Sequence, residues 1–208
     1  MDTKTVAFTL MMGALGNLLF AISYHVGQLA PGVALDFSLL AAFIAGFYGG
    51  PSVGLVSGFF VGVLPGIMFG PMGMGSWLGL VGLPPGKGLT GLMAGILAKV
   101  LNLGRNEHSS LLAVPATLSA YVPECLYTYA YFAYLMPFFL GSGGPAVFLY
   151  YILPKALAEV VIMSFFMAAL IGNKGFNNFL NRFFLTPPIH PHRNQSVRNQ
   201  MTPSRRLD

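Results

Sequence analysis

Asp36-Phe-Ser-Leu-Leu-Ala-Ala-Phe-Ile-Ala-Gly-Phe-Tyr-Gly-Gly-Pro-Ser-Val-Gly-Leu-Val-Ser-Gly-Phe-Phe-Val-Gly62 opens a run in which no acidic or basic side chain occurs until Lys87. A second such run separates Glu124 from Lys155. Only 8% of the chain is charged and 55% is hydrophobic, whereas a soluble domain carries about 25% charged residues. Such a chain cannot cover a water-facing surface. It reads as an integral membrane protein with nearly all of its mass in lipid.

A membrane-crossing helix needs roughly 20 apolar residues to match a hydrocarbon layer of about 30 Å. The 208 residues therefore supply a handful of crossings and no second folded domain. Working outward from the quoted run, the breaks fall at Gly, Pro and polar clusters. They delimit six apolar segments: Thr5–Tyr24, Val33–Tyr48, Pro51–Phe69, Leu89–Leu101, Leu111–Leu140 and Ala146–Ile171. A Gly/Pro/Met-rich connector, Gly70–Gly88, carries Trp77, the one tryptophan. Pro123 and Pro137 interrupt the fifth segment, which reads either as one long helix or as a helix plus a re-entrant piece. In lipid the backbone must satisfy its own hydrogen bonds, so the segments are expected to be helices. The ten-residue alternation of a membrane β-barrel is absent. The expected architecture is an all-α bundle of about six transmembrane helices over residues 1–175. A basic cytoplasmic tail, expected to be disordered, follows over 176–208.

Charge distribution orients this bundle. Six crossings put Lys4, Lys99, Arg105, Lys174 and the five arginines of the tail on one side, leaving only Lys87 and Lys155 opposite. The positive-inside bias then places both termini in the cytoplasm. The net charge of +5 reads as topology, with the tail also able to touch anionic lipid, and not as nucleic-acid binding. The first apolar run is too long, and its start too acidic, for a cleaved signal peptide, so it is expected in the mature protein. Cys125 is the single cysteine and can form no intrachain disulfide.

Glycine patterning suggests how the helices meet. Gly50, Gly54, Gly58, Gly62 and Gly66 recur every fourth residue, a spacing that lets helix backbones approach closely in a bilayer. The plain expectation is packing within the bundle; a sliding or partner-binding face is the functional alternative. On the first helix Gly13, Asn17 and Ala21 follow the same spacing and mark a candidate seat for another membrane protein.

Ionisable groups at bilayer depth are costly and so are usually functional or paired. Glu124, Lys155 and Glu159 qualify, as does Asp36. Lys155 and Glu159 lie four apart and share a helix face. Asp36 reads best as a helix N-terminal charge favoured by the dipole. Aromatic residues crowd the fifth segment beyond what an interfacial belt requires, including Tyr127 and Tyr131, with Tyr151 on the sixth. Together with Trp77 they suggest an outward-facing basin for a flat ligand, with Glu124, Lys155 and Glu159 at its floor. There is no Walker loop, no His-Glu-x-x-His and no nucleophile beside a base. No catalysis, cofactor or metal is expected.

The stretch from Ala34 to Gly66, with its apolar helix, Gly49-Gly50-Pro51 turn and Gly-x3-Gly helix, resembles the substrate-binding S components of energy-coupling factor transporters. The size, the six segments, the orientation and the long connector between the third and fourth segments are also similar to that family. The resemblance implies capture of a small organic micronutrient, a vitamin or precursor, at the cell membrane. It implies partners as well: a coupling transmembrane subunit and an ATPase pair, with the loaded component toppling in the lipid to release its cargo. Where that family often carries Ala-x3-Ala-x3-Ala on helix one, this chain has Gly13-x3-Asn17-x3-Ala21. The Gly-Gly-Pro-x-Val-Gly pattern is also similar to the membrane sensor region of LytS-type histidine kinases. That likeness implies, as the alternative, a ligand-sensing domain that signals through a partner.

Overall fold

In the computed structural model the described residues are 3–26, 28–30, 33–73, 75–103, 109–140 and 144–180. The tail from residue 181 onward, the loop at Arg105 and position 142 lie outside them. The elements are α1 (Thr3–Val26), a small hairpin of β1 (Gln28–Ala30) and β2 (Val33–Ala34), α2 (Leu39–Gly49), α3 (Pro51–Val61), α4 (Val63–Phe69), α5 (Ser76–Val100), α6 (Ser109–Ala130), a π-helical turn (Tyr131–Leu135), α7 (Met136–Leu140), α8 (Gly144–Gly172) and α9 (Lys174–Leu180). Apart from the hairpin, the described architecture is helical.

Among the described residues, four helical stretches are long and apolar enough to cross a membrane: Thr3–Val26, Pro51–Phe69, Ser76–Val100 and Leu149–Gly172. The outer surface is apolar as well, with Leu10, Leu18, Phe59, Val81, Val122 and Phe165 exposed. Water would not tolerate so much apolar surface, but lipid does. The chain is therefore membrane-embedded. The second segment is shorter than a crossing: α2 has 11 residues, or ~16 Å at 1.5 Å per residue. The fifth segment is one helical run from Ser109 to Leu140, so its prolines do not create a re-entrant piece.

The largest departure from the sequence reading is the connector. Residues 76–88 belong to α5, which continues through Pro84 and Pro85. Gly and Pro break helices in water because the freed backbone groups and lost entropy go uncompensated. Between tightly packed neighbours both residues are tolerated. Here α5 is the centre of the bundle, packed on α2, α3, α4 and α6, while α8 packs on α6.

Glycine makes the α3–α5 approach possible. A methyl on Gly54 would overlap the Gly91 carbonyl, and one on Gly91 would overlap the Gly54 backbone. A Cβ on Gly58 would lie 2.9 Å from the Lys87 carbonyl carbon, and one on Gly95 would lie 2.5 Å from that of Gly50. Continuing the line, Gly62 meets Pro84 in the same way. The four-residue glycine stripe is thus consumed by packing inside the chain. Gly50, at φ +84°, makes the turn between α2 and α3, a conformation only glycine adopts without strain.

At the other end α9 carries folded chain past residue 175, to Leu180. The Tyr48 hydroxyl donates to Asn177 Oδ1 at 2.5 Å, and the Asn177 amide donates to the Ile171 carbonyl at 2.7 Å. These bonds tie α9 (Lys174–Leu180) to the end of α8 and to α2.

Candidate functional site

The π-helical turn follows α6 directly and places Tyr131 and Phe132 toward the bundle. Across from them, α8 presents Ile152, Lys155, Ala156 and Glu159, one helix face at spacings of three and four. Residues of α1, α4 and α5 complete the walls of a cavity of about 290 Å³. Glu124, Lys155, Glu159, Tyr127 and Tyr131 all line it. Trp77 and Tyr151 do not. Trp77 stands at the second position of α5 and is 71% exposed. Tyr151 precedes Ile152 by one residue, about 100° around α8, and turns outward at 62% exposure.

Two residues assigned elsewhere by the sequence reading join the floor. Lys87, expected in an outer connector, is inside α5 and 4% exposed. Its Nζ meets Asp36 Oδ2 at 2.6 Å and Ser38 Oγ at 2.8 Å. Asp36, expected as a simple helix-end charge, is the acceptor that holds Lys87. The Ser38 N–H donates to Asp36 Oδ1 at 2.9 Å, which does reflect the turn into α2. The two charges that bound the long uncharged run thus pair with each other. The signal was present in the sequence: each is an isolated charge next to membrane-length apolar sequence. It could be used only once residues 76–100 are read as one helix.

The expected pair on α8 forms, with Lys155 Nζ 3.4 Å from Glu159 Oε1. That same Oε1 accepts the Asp36 N–H at 2.5 Å, linking α8 to the start of α2. Glu124 accepts from the Thr90 hydroxyl across the α5–α6 contact. The floor therefore draws its groups from α5, α6, α8 and the strand-to-helix link before α2. Pro123 precedes Glu124 inside α6 without breaking it.

The aromatic wall is ordered by ring contacts. Tyr127 and Tyr131 stack with centroids 6.3 Å apart and planes 20° apart, and Phe132 meets both Tyr131 and Phe69 edge-on. The Tyr131 ring lies over Gly82, where any side chain would collide with it. Among the described residues no three His, Cys, Asp or Glu side chains are grouped to hold a metal ion. The arrangement offers carboxylates, ammonium groups and tyrosine rings to a small organic solute.

The stripe on α1 is largely occupied by the chain itself. Gly13 faces Phe60, where a Cβ would come within 2.7 Å of the Phe60 Cβ. The Asn17 amide donates to the Phe60 carbonyl at 2.9 Å and accepts the Leu64 N–H at 2.9 Å. Phe60 and Leu64 are partners of one turn of a regular helix, so Asn17 ties α1 to the join between α3 and α4. Ala21 is partly exposed.

No protein-family model matches this chain, and neither a curated protein nor a solved structure matches it.

Proposed function

We propose that this chain is the substrate-capture subunit of a membrane uptake system for a small organic micronutrient. One observation carries the reading: a cavity with an aromatic wall and a buried polar floor, enclosed by a bundle whose outside is apolar. Charged groups at bilayer depth need a purpose that outweighs their desolvation. The floor groups come from four separate parts of the chain, as a recognition site requires and a simple helix–helix contact does not. In this reading the bundle makes six crossings with both ends cytoplasmic, and α2 reaches its full depth together with the link from Asp36. Energy comes from a partner ATPase pair through a coupling membrane subunit, which agrees with the likeness of Ala34–Gly66 to transporter S components. The partner seats on the exposed face of α1, where Ala7, Leu10, Ala14 and Leu18 are free, and not on Gly13 and Asn17.

Mass spectrometry of small molecules that copurify with the full chain in detergent tests the capture role. A single organic solute retained near one per protein is expected, and its retention should fall in Glu124→Gln. Lipid alone in the purified protein would sink the reading. Topology is tested separately: a cysteine replacing Lys4 or Arg193 should be shielded from impermeant thiol reagents in intact cells, and one replacing Ser142 should be labelled.

A further inference from the structure

The charges of the cavity do not balance. Two lysines and three carboxylates line it. Lys87 is committed to Asp36, and Lys155 to Glu159. Glu124 is the carboxylate without a salt bridge among the described residues: Lys87 is near enough to act on it but is paired with Asp36, and its one hydrogen-bond donor is the neutral Thr90 hydroxyl. With every group ionised, the site holds one negative charge in excess. In a low-dielectric cavity an unbalanced charge is strongly unfavourable, and a matching ligand charge relieves it.

A second, independent observation points to a ligand. Among the described residues, the Tyr131 hydroxyl is the only buried side-chain polar atom without a hydrogen-bond partner. Tyr131 is 2% exposed and lines the same cavity. A buried hydroxyl left unpaired is costly. It is held there by the π-helical turn, a rare element that recurs at functional sites. Stacked against it is Tyr127, so the open charge and the open hydroxyl flank a wall of π-faces, which attract cations. The cavity volume of about 290 Å³ is at the small end of the ~300–1,000 Å³ of ligand pockets, which limits the guest to one or two fused rings.

We propose that the cavity takes a flat organic cation with a polar substituent. Its positive charge rests against Glu124, its ring lies among Tyr127, Tyr131 and Phe132, and its substituent bonds the Tyr131 hydroxyl. This rests on the capture reading and narrows it from any micronutrient to a cationic heterocycle.

Equilibrium dialysis on the detergent-purified full chain tests the assignment with three bicyclic probes of similar shape. These are 4-aminoquinaldine (a cation at neutral pH), neutral 2-methyl-4-quinolone and anionic quinaldate. The cation should be retained at least about tenfold more tightly than the other two. Glu124→Gln should weaken the cation by about ten- to a hundredfold, the loss of one charge-assisted hydrogen bond, and leave the quinolone unchanged. Tyr131→Phe should cost the cation about three- to tenfold and keep its preference over the quinolone. Equal or tighter binding of the quinolone or quinaldate overturns the charge assignment, as does a cation indifferent to Glu124→Gln. Retention of none of the three overturns it too. The capture reading is judged apart from this, by the copurifying solute. A neutral or anionic solute there would uphold capture and overturn the cation.

Discussion

The two faces of α5 solve opposite problems with neighbouring residues. Toward α3, and toward Gly46 of α2, the helix offers backbone: Gly88, Gly91 and Gly95 let the main chains approach closely. Toward the link before α2 and toward α6 it offers Lys87 and Thr90, whose polar atoms reach Asp36 and Glu124. The first face is dry and close, and its strength lies in van der Waals contact. The second borders the cavity and is held by the Lys87–Asp36 ion pair, which must be complete to be tolerated, and by the Thr90–Glu124 hydrogen bond. A lipid-immersed bundle draws little stability from sequestering apolar groups, since lipid is apolar too. Rigidity on one face of α5 is therefore what allows a polar pocket to be kept open on the other.

The sharpest way to break this contrast is on the dry face. Gly91→Leu drives a side chain into the Gly54 backbone, which cannot move as a flexible side chain does. The loss should exceed the ~1–3 kcal/mol of ordinary overpacking, and little monodisperse protein should survive size-exclusion chromatography. A variant that elutes and melts normally would show the seam to be loose.

Next in size is Lys87→Met on the wet face. It leaves Asp36 as an uncompensated buried charge and should cost on the order of 3–5 kcal/mol, read as a lower melting temperature in detergent. Part of the loss should return in Lys87→Met combined with Asp36→Asn. If the double variant melts no higher than the single one, charge is not the cause.

Asn17→Leu sharpens the comparison from α1. Two backbone groups, the Phe60 carbonyl and the Leu64 N–H, lose their side-chain partner, which should cost about 1–3 kcal/mol. Substrate binding should persist, because Asn17 is not part of the cavity lining. If uptake fails while melting is unchanged, Asn17 instead serves a partner.

Lys155→Met should cost less than Lys87→Met. Its partner is four residues away on the same helix at 3.4 Å, against 2.6 Å between distant elements for Lys87. The loss should fall between the ~0.5 kcal/mol of an exposed helical pair and the ~3–5 kcal/mol of a fully buried one. Equal losses for the two lysines would mean that the α8 pair is as deeply locked as the α5 pair.

Glu124→Gln is the smallest expected effect on stability, within about 1 kcal/mol and toward higher melting if anything, since it removes the unbalanced charge without changing shape. Its effect should appear in ligand binding instead. A sharply lower melting temperature with intact binding would make Glu124 a structural carboxyl.

Some of this organisation is readable without coordinates, for physical reasons that apply locally. Long uncharged runs determine that the chain lies in lipid, because no tertiary arrangement can hide so much apolar surface from water. Four-residue glycine spacing determines a close-packing face, because helix geometry puts those positions in line. The same geometry determines that Lys155 and Glu159 can meet. Tyr127, Tyr131 and Glu124 were reachable as well, being aromatic and ionisable groups in excess of what a lipid-facing helix needs.

The rest depended on contacts between distant segments. Gly70–Gly88 reads as a loop because glycine and proline disfavour an isolated helix, yet from Ser76 onward the neighbours of α5 override that preference. Moving those residues into a helix moves Lys87 from the outside to the floor and gives it Asp36, 51 residues earlier in the chain. Trp77 and Tyr151 turn outward for a related reason: a one-residue shift on a helix rotates a side chain by about 100°, and only packing fixes which face is inner. Asn17 becomes an internal tie because α3 ends beside it. The sequence by itself determined the solvent, the helices and the types of group available for a site. Only the tertiary structure decided which charges pair, which carboxylate is left over and which hydroxyl is left open, because each is set by distances between residues that the chain brings together from far apart.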